Sequence, residues 1–187
     1  MSNYLASLLT TIPTKRSVFV SYHHDNDQYY YNLLAGVCDQ FCQLLRDASL
    51  REPLDSEDSD YISRAIREGY ITGTSCTIVL CGSETWKRKH VDWEIKATLD
   101  KQHGLVGVLL PTSPVLPFGQ GGCWHPGGCS SKPPRLQENI DSGYAVWTDW
   151  ATISSSAAKL KETVEQAIGR PSALIRNSKE LMGRNLS

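Results

Sequence analysis

Long hydrophobic runs are missing from this sequence of 187 residues. The longest two, Cys76–Cys81 and Leu105–Leu110, are far shorter than the roughly 20 apolar residues that a membrane-spanning helix needs. Residues 1–14 are mildly apolar but lack the basic start and the long apolar centre of a secretory signal. These absences predict a soluble, cytoplasmic protein that has no membrane partner.

The sequence also lacks a block of like charge. Its 19 basic and 20 acidic residues give a formal net charge of −1, with no cluster of lysines or arginines. Duplex nucleic acid is therefore not an expected partner. With 40% hydrophobic and 21% charged residues, the composition is that of an ordinary globular protein, and the length corresponds to about one domain.

Three common nucleotide-binding and catalytic motifs are absent as well. The sequence contains no G-x-G-x-x-G, no G-x-x-x-x-G-K-[ST] and no G-x-S-x-G. Their absence argues against a Rossmann dehydrogenase, a P-loop enzyme and an α/β-hydrolase.

The six cysteines do not form the pattern of a disulfide scaffold. Two lie in a helical pattern and two bracket an apolar strand, so we expect these four to be small, reduced core residues. Cys123 and Cys129 flank His125 in a segment rich in glycine and proline. A closed zinc site takes four ligands and only three candidates lie close in sequence, so we expect no metal.

Apolar segments of two kinds alternate along the chain. Short β-prone runs are separated by segments whose apolar residues recur every three or four positions, as in helices. This alternation predicts an α/β, flavodoxin-like three-layer fold around a central, mostly parallel sheet of about five strands. The expected strands are Ser17–Tyr22, 49–51, 77–80, Leu105–Leu110 and 144–147; the expected helices are one that includes residues 33–45, and 60–68, 90–102 and 156–168.

The alternating pattern lies in a predicted domain of residues 15–170. Residues 1–14 form an N-terminal extension, and residues 171–187 form a tail that either adds one short helix or is flexible. Within the domain, residues 111–143 form a long connection rich in glycine and proline. A connection of that length without secondary structure is either functional or disordered.

Candidate ligand-binding residues follow the ends of the predicted strands. In open parallel sheets, ligands bind beyond the carboxyl ends of the strands. The first strand leads to a Tyr-His-His loop that is equally well explained as plain surface, and the central strand leads to polar residues that bind phosphate or simply cap the next helix. The candidates are Tyr22, His23, His24, Ser83, Thr85 and Trp86.

The predicted helix that starts at His90 carries the main catalytic candidate. Val91, Ile95 and Leu99 form its buried stripe at 100° per residue, and Glu94 lies beside that stripe, one turn after His90. A carboxylate at the edge of the core faces a pocket with reduced hydration, or it makes salt links on the helix surface.

Five segments of the chain carry a resemblance to a known family: Val18–Tyr22, Ile78–Gly82 with Thr85, Val91–Ile95, Pro134–Ile140 and Gly143–Trp147. The first resembles the first-strand signature of TIR domains, and the order and spacing of the rest extend the similarity over most of residues 15–150. Together they resemble the TIR-like family of bacterial anti-phage defence, which includes the NAD-processing subunit of Thoeris systems.

The resemblance implies cleavage of the nicotinamide–ribose bond of NAD, with Glu94 as the key residue. NAD is then a substrate, and no cofactor is expected. In many TIR enzymes a tryptophan lies four residues before this glutamate, and here His90 occupies that place. His90 is therefore a candidate binding residue, with Trp86 or Trp93 as alternative aromatic walls. Asn139 is placed either at the ribose or in a turn before the last strand.

The expected function is an NAD glycohydrolase or ADP-ribosyl cyclase that makes a nucleotide signal. The resemblance implies a downstream effector protein that senses the product, and a homo-oligomer is possible because TIR-like enzymes commonly act as assemblies. The sequence leaves open whether the ADP-ribose product is cyclic, linear or conjugated. Two alternatives remain, a non-catalytic TIR-like interaction module and a nucleoside-processing enzyme similar to deoxyribosyltransferases.

Overall fold

A five-stranded parallel sheet forms the centre of the molecule. The computed structural model describes residues 15–38, 42–44, 67–116, 129–130 and 132–186. The sheet has the order β2-β1-β3-β4-β7, in which the second strand lies at one edge and the chain then crosses to the other side. Its strands are β1 (Arg16–Ser21), β2 (Cys42–Leu44), β3 (Cys76–Cys81), β4 (Gly104–Leu109) and β7 (Val146–Asp149).

Helices cover both faces of this sheet. They are α1 (His24–Cys38), α2 (Lys89–Asp100), α3 (Pro134–Asp141), α4 (Trp150–Ser154) and α5 (Ala157–Ile168). Short helical turns lie at Arg67–Ile71, Thr85–Lys87 and Ser172–Leu174. The predicted α/β, flavodoxin-like fold with a parallel sheet is thereby confirmed.

The two larger hydrophobic cores follow from the alternation of side chains along the strands. On one face, strand residues such as Ile78 pack with Leu34 of α1 and Leu160 of α5. On the other face, Val79 packs with the α2 stripe that includes Ile95. All six residues of β3 are buried, as expected for a central parallel strand covered on both sides.

The structure corrects the predicted end of the first helix. We predicted one helix through residue 45 because apolar residues continue at helical spacing, but α1 ends at Cys38 and Cys42–Leu44 form β2. A three-residue strand is too short to show a period of its own. The strand predicted at residues 49–51 lies outside the described residues, as does most of the helix predicted at 60–68.

The long connection is more ordered than we predicted. Within residues 111–143, Val115–Leu116 and Cys129–Ser130 form the short antiparallel strands β5 and β6. Pro134–Asp141 then form α3, with proline at the helix start, where its missing N–H costs nothing. The expectation of a structureless connection is therefore wrong for these three segments.

The cysteines follow the expectation only in part. Cys76 and Cys81 are free and buried, and burial raises the pKa of the Cys81 thiol to about 12. Cys38 is disulfide-bonded, so the expectation of a reduced thiol is wrong there. Among the described residues, no helix has the length and apolar character that crossing a bilayer requires.

The segment 171–186 packs along α2 and α3 in a largely irregular conformation that includes one short helical turn. Asn139 of α3 donates to the carbonyl oxygen of Arg176 at 2.8 Å and accepts from its amide at 3.0 Å. Further along, the indole of Trp93 donates to the carbonyl oxygen of Met182 at 2.9 Å. We call residues 176–186 the C-terminal strap.

Candidate functional site

A cleft of about 640 Å³ opens between the first turns of α1 and α2, beyond the carboxyl end of β1. Its walls come from three separate parts of the chain: the β1–α1 junction, the start of α2 and the C-terminal strap. The lining residues are His23, His24, Asp25, Gln28, Arg88, His90 and Asn185. The cleft thus lies at the predicted edge of the sheet.

A buried carboxylate beneath this edge joins three of the strand ends. Asp27, in the first turn of α1, accepts from the hydroxyl of Thr85 at 3.1 Å and from that of Thr112 at 3.5 Å. A Cβ at Gly82 would overlap this carboxylate, so glycine permits the close approach. Burial raises the pKa of Asp27, and the hydrogen bonds with Thr85 and Thr112 counter part of that shift.

Two histidines that line the cleft lie close to a buried tyrosine behind them. The ring of Tyr22 lies 4.3 Å from that of His24 between centroids, and it stacks on Tyr31 at 4.9 Å. The rings of His24 and His90 are 6.4 Å apart. The structure therefore brings Tyr22, His24 and His90 together, as the sequence predicted, although Tyr22 is fully buried and supports the cleft from behind.

His90 is held in a defined protonation state. Its Nε2 lies 3.3 Å from the carbonyl oxygen of Tyr22, which can only accept, so Nε2 carries the proton and Nδ1 is an acceptor. Burial lowers the pKa of His90 to about 4, and the backbone hydrogen bond to Tyr22 opposes that shift. His90 is therefore a neutral imidazole near neutral pH.

His23 and Arg88 complete the polar side of the cleft. His23 is 6% exposed, and burial lowers its pKa, with the Arg88 charge acting in the same direction. Within the described residues its Nδ1 has no hydrogen-bond partner. Arg88 donates to Glu84 at 2.7 Å through one guanidinium nitrogen, while its buried Nε has no partner among these same residues.

Glu94 lies in α2, one helical turn after His90, and is only 1% exposed. The predicted stripe of Val91, Ile95 and Leu99 is buried against the sheet, which places Glu94 at the edge of this core. The hydroxyl of Thr98 donates to the carbonyl oxygen of Glu94 at 2.8 Å and lies 2.7 Å from the hydroxyl of Thr77 on β3. These hydrogen bonds fix the helix against the central strand. Glu94 is not among the residues that line the open cleft.

The remaining predicted residues take part in local structure. The hydroxyl of Thr85 accepts from the Gly82 amide at 2.9 Å and is fully buried. The indole of Trp86 donates to the Ser83 carbonyl oxygen at 3.2 Å. None of these three predicted residues (Ser83, Thr85 and Trp86) lines the cleft. Asn139 is buried between α3 and the C-terminal strap, so its amide is occupied by the chain itself.

Trp93 is not the aromatic wall of the cleft. Its ring packs with Phe19, Ile71 and Ala97 in a separate small core, and Lys89 lies 4.9 Å from the ring centroid. This leaves the histidines as the aromatic groups that face the cleft. No group of three or more potential metal-ligating side chains occurs within the ranges that the structure describes. Cys123 and His125 lie outside those ranges, so the absence of zinc stays a prediction.

Sequence reasoning missed four cleft residues, which are Asp25, Gln28, Arg88 and Asn185. Asn185 reaches the site because its Oδ1 accepts from the Lys89 amide at the first turn of α2, at 2.9 Å. Beside it, the Leu186 amide donates to the Lys87 carbonyl oxygen at 2.9 Å. An asparagine in a polar tail gives no sequence signal of a contact nearly a hundred positions away.

The fold is that of a TIR-like α/β domain, with a parallel sheet covered by helices on both faces. The sequence matches the family described as Thoeris protein ThsB, TIR-like domain, over residues 19–114, which is just over half of the chain. The chain therefore belongs to this family of TIR-like domains.

The structure is also similar to the TIR domains of the activated Roq1 resistosome that recognises the pathogen effector XopQ. That similarity has 14% sequence identity and a TM-score of 0.36, and it covers 52% of this chain and 58% of the other. The chain thus spans less than two thirds of that relative. No curated protein matches this sequence.

Proposed function

We propose that this protein is a cytoplasmic enzyme that cleaves the nicotinamide–ribose bond of NAD in bacterial anti-phage defence. The product is an ADP-ribose signal, in cyclic form, that a downstream effector protein senses. The observation that carries the proposal is Glu94: a carboxylate that is 1% exposed, one turn from the cleft residue His90, in a member of a TIR-like family that includes NAD-processing enzymes.

The proposed chemistry needs few groups. When nicotinamide leaves, positive charge develops on the ribose, and a carboxylate of low hydration stabilises it and orients the ribose hydroxyls. Nicotinamide bound through its ring nitrogen is already a good leaving group, so neither a metal nor a catalytic triad is required. The neutral imidazole of His90 supplies a flat surface and an acceptor, Nδ1, one turn before Glu94.

The first experiment substitutes Glu94 by glutamine. Glu94→Gln keeps the shape of the side chain and removes its charge, so we expect the fold to be retained and NAD turnover to fall by about 10²-fold or more. Turnover is measured as free nicotinamide released by the purified protein. Glu162→Gln is the matched control, because Glu162 makes only an exposed ion pair with Lys159 on α5.

Each outcome separates the proposal from its alternatives. A Glu94→Gln variant that turns over NAD like the parent would sink the assignment of Glu94. If the parent releases no nicotinamide over a range of protein concentrations that allows assembly, the chain is better explained as an interaction module. Release of a free base from nucleosides, but not from NAD, would favour the nucleoside-processing enzyme.

A further inference from the structure

The C-terminal strap contributes a side chain to the cleft. Asn185 lines the cleft together with Arg88 and His23, although it follows Arg88 by 97 positions and His23 by 162. It is held there by two hydrogen bonds at the start of α2, one from the Lys89 amide to its Oδ1 and one from the Leu186 amide to the Lys87 carbonyl oxygen. The strap therefore forms part of the wall of the cleft.

The hydrogen bond with Lys89 fixes the orientation of the Asn185 amide group. Because Oδ1 accepts from the helix, the two N–H donors of Nδ2 remain for another partner. Arg88, on the same wall, has a buried Nε with no partner in the described part of the chain. The positive end of the α2 dipole lies at the same place. All three features favour an oxygen-rich, negatively charged group.

A buried polar group nearby also lacks a partner. His23 is 6% exposed and its Nδ1 makes no hydrogen bond with any residue that the structure describes. Leaving a buried polar atom unpaired is unfavourable, so such an atom beside an open cleft points to a ligand that supplies the missing bond. Asp25 is the one acidic residue among the seven that line the cleft.

We infer that Asn185 and Arg88 form a subsite for the phosphate oxygens of a nucleotide, with Asn185 donating through Nδ2 and Arg88 through its guanidinium group. The inference rests on the proposed function, because NAD and ADP-ribose are the nucleotides it concerns. It makes the C-terminal strap part of the substrate site, so that ligand binding and strap attachment stabilise each other.

The test compares Asn185→Asp with Asn185→Ala. A role in capping α2 and a role in binding phosphate predict opposite orders for how strongly the two substitutions impair the protein. Asn185→Asp keeps an oxygen that accepts from Lys89, and a negative charge at a helix N-terminus is favourable, so the helix cap survives. Asn185→Ala loses both the cap and the donor. If Asn185 only caps α2, the aspartate variant behaves like the parent and the alanine variant is impaired.

If Asn185 binds phosphate, the aspartate variant is the worse of the two. We expect Asn185→Ala to weaken ADP-ribose binding by about three- to tenfold, the loss of one hydrogen bond. Asn185→Asp should weaken it by more than about tenfold, because a carboxylate then faces the phosphate. Leu186→Ala is the matched control, because the bond from Leu186 to Lys87 uses only the main chain.

Binding of ADP-ribose and of nicotinamide, used as separate probes, is measured by calorimetry in the Glu94→Gln background, in which NAD turnover is slow. Unchanged nicotinamide binding together with the ranking above supports the subsite. ADP-ribose binding that Asn185→Asp leaves at the parent level overturns the subsite while NAD cleavage by the parent still stands. If the parent neither binds nor cleaves NAD, the proposed function fails and the subsite fails with it.

Discussion

The imidazole of His90 shows how one side chain sets the character of the cleft. Its Nε2–H is directed to the Tyr22 carbonyl oxygen at 3.3 Å, and burial keeps its pKa at about 4. In this state the ring stacks and accepts, but it carries no charge near neutral pH. His90 stands where, by the family resemblance, many TIR enzymes have a tryptophan. Like tryptophan, it presents a flat, uncharged ring, so it is compatible with the same role in ligand binding.

His90 variants test this role at the level of activity. We expect His90→Ala to lower kcat/KM for NAD by about fivefold, which corresponds to about 1 kcal/mol for one aromatic contact. His90→Trp should preserve or raise activity, because a larger flat ring replaces a smaller one. The variants are compared by nicotinamide release over a range of substrate concentrations.

The pH profile of the parent separates this role from proton transfer. Because the pKa of His90 is about 4, its protonation should leave no inflection in the rate near pH 6.5, the usual histidine value. An inflection there that disappears in His90→Trp would contradict the neutral role. Equal activity of the parent and both variants would instead place His90 outside the site.

At the level of single residues, the sequence predicted the site only where topology alone decides it. His23 and His24 follow β1 directly, so the parallel sheet places them at its carboxyl edge. Asn139 could not be assigned in this way, because its partner is the main chain of Arg176 in a segment without periodicity. Arg88 was missed because its importance depends on the strap that packs beside it.

Among the elements, the C-terminal strap is attached to the rest of the molecule through a buried ion pair. Arg135 of α3 donates to both carboxylate oxygens of Asp92 in α2, at 2.9 and 3.2 Å. The same guanidinium donates to Asn177 and to the Glu180 carbonyl oxygen, and Asp92 also accepts from the Met182 amide at 3.0 Å. One buried pair therefore joins two helices and the strap.

Removing one charge of this pair should release the strap. Asp92→Asn leaves the fully buried Arg135 without a counter-charge, and such a change costs about 3–5 kcal/mol of unfolding free energy. We expect faster hydrogen exchange at the Met182 and Leu186 amides, together with a lower midpoint of urea unfolding. Lys179→Ala is the matched control, because it removes a half-exposed ion pair with Glu138 from the same strap.

The control should cost no more than about 1 kcal/mol, as is usual for exposed ion pairs. The anchoring role of Asp92 would be refuted by an Asp92→Asn variant whose stability and exchange match those of Lys179→Ala.

Periodic elements were predictable from the sequence, and elements without a period were not. The helix predicted at 156–168 is α5, Ala157–Ile168, and the Ser156 hydroxyl caps it by accepting from the Lys159 amide at 3.2 Å. The buried strands β3 and β4 also lie where their apolar runs predicted. The short β2, the eight-residue α3 and the strap were missed, because too few residues repeat or because their contacts are polar and distant.

For the whole molecule, buried histidines make stability depend on pH. Burial lowers the pKa values of His23, His90 and His103 below 6.5, their usual value. The unfolded chain therefore binds more protons than the folded chain below that pH, so stability falls as the pH is lowered through 6.5. Asp27 acts in the opposite direction, because its raised pKa makes the folded state bind a proton more readily.

Acidification should reveal the histidine contribution directly. For His90, with a folded pKa of about 4, we expect a loss of roughly 1–2 kcal/mol of unfolding free energy between pH 7 and pH 5. His90→Gln cannot titrate and should lose correspondingly less over the same interval. Urea unfolding of both proteins at the two pH values measures the difference, and parallel losses would show that His90 does not contribute.

The strap also has a consequence for how the chain folds. Trp93 and Met182 are 89 positions apart, and Lys89 and Asn185 are 96 apart. The wall of the cleft is therefore completed by contacts between distant parts of the chain. The entropy lost in closing a loop must be paid before such contacts stabilise anything, so they form late. The sheet and its helices can assemble before the strap docks. The complete cleft is then among the last features of the molecule to form. In a chain that is still folding, Glu94 reaches its place in the core before the strap completes the binding site.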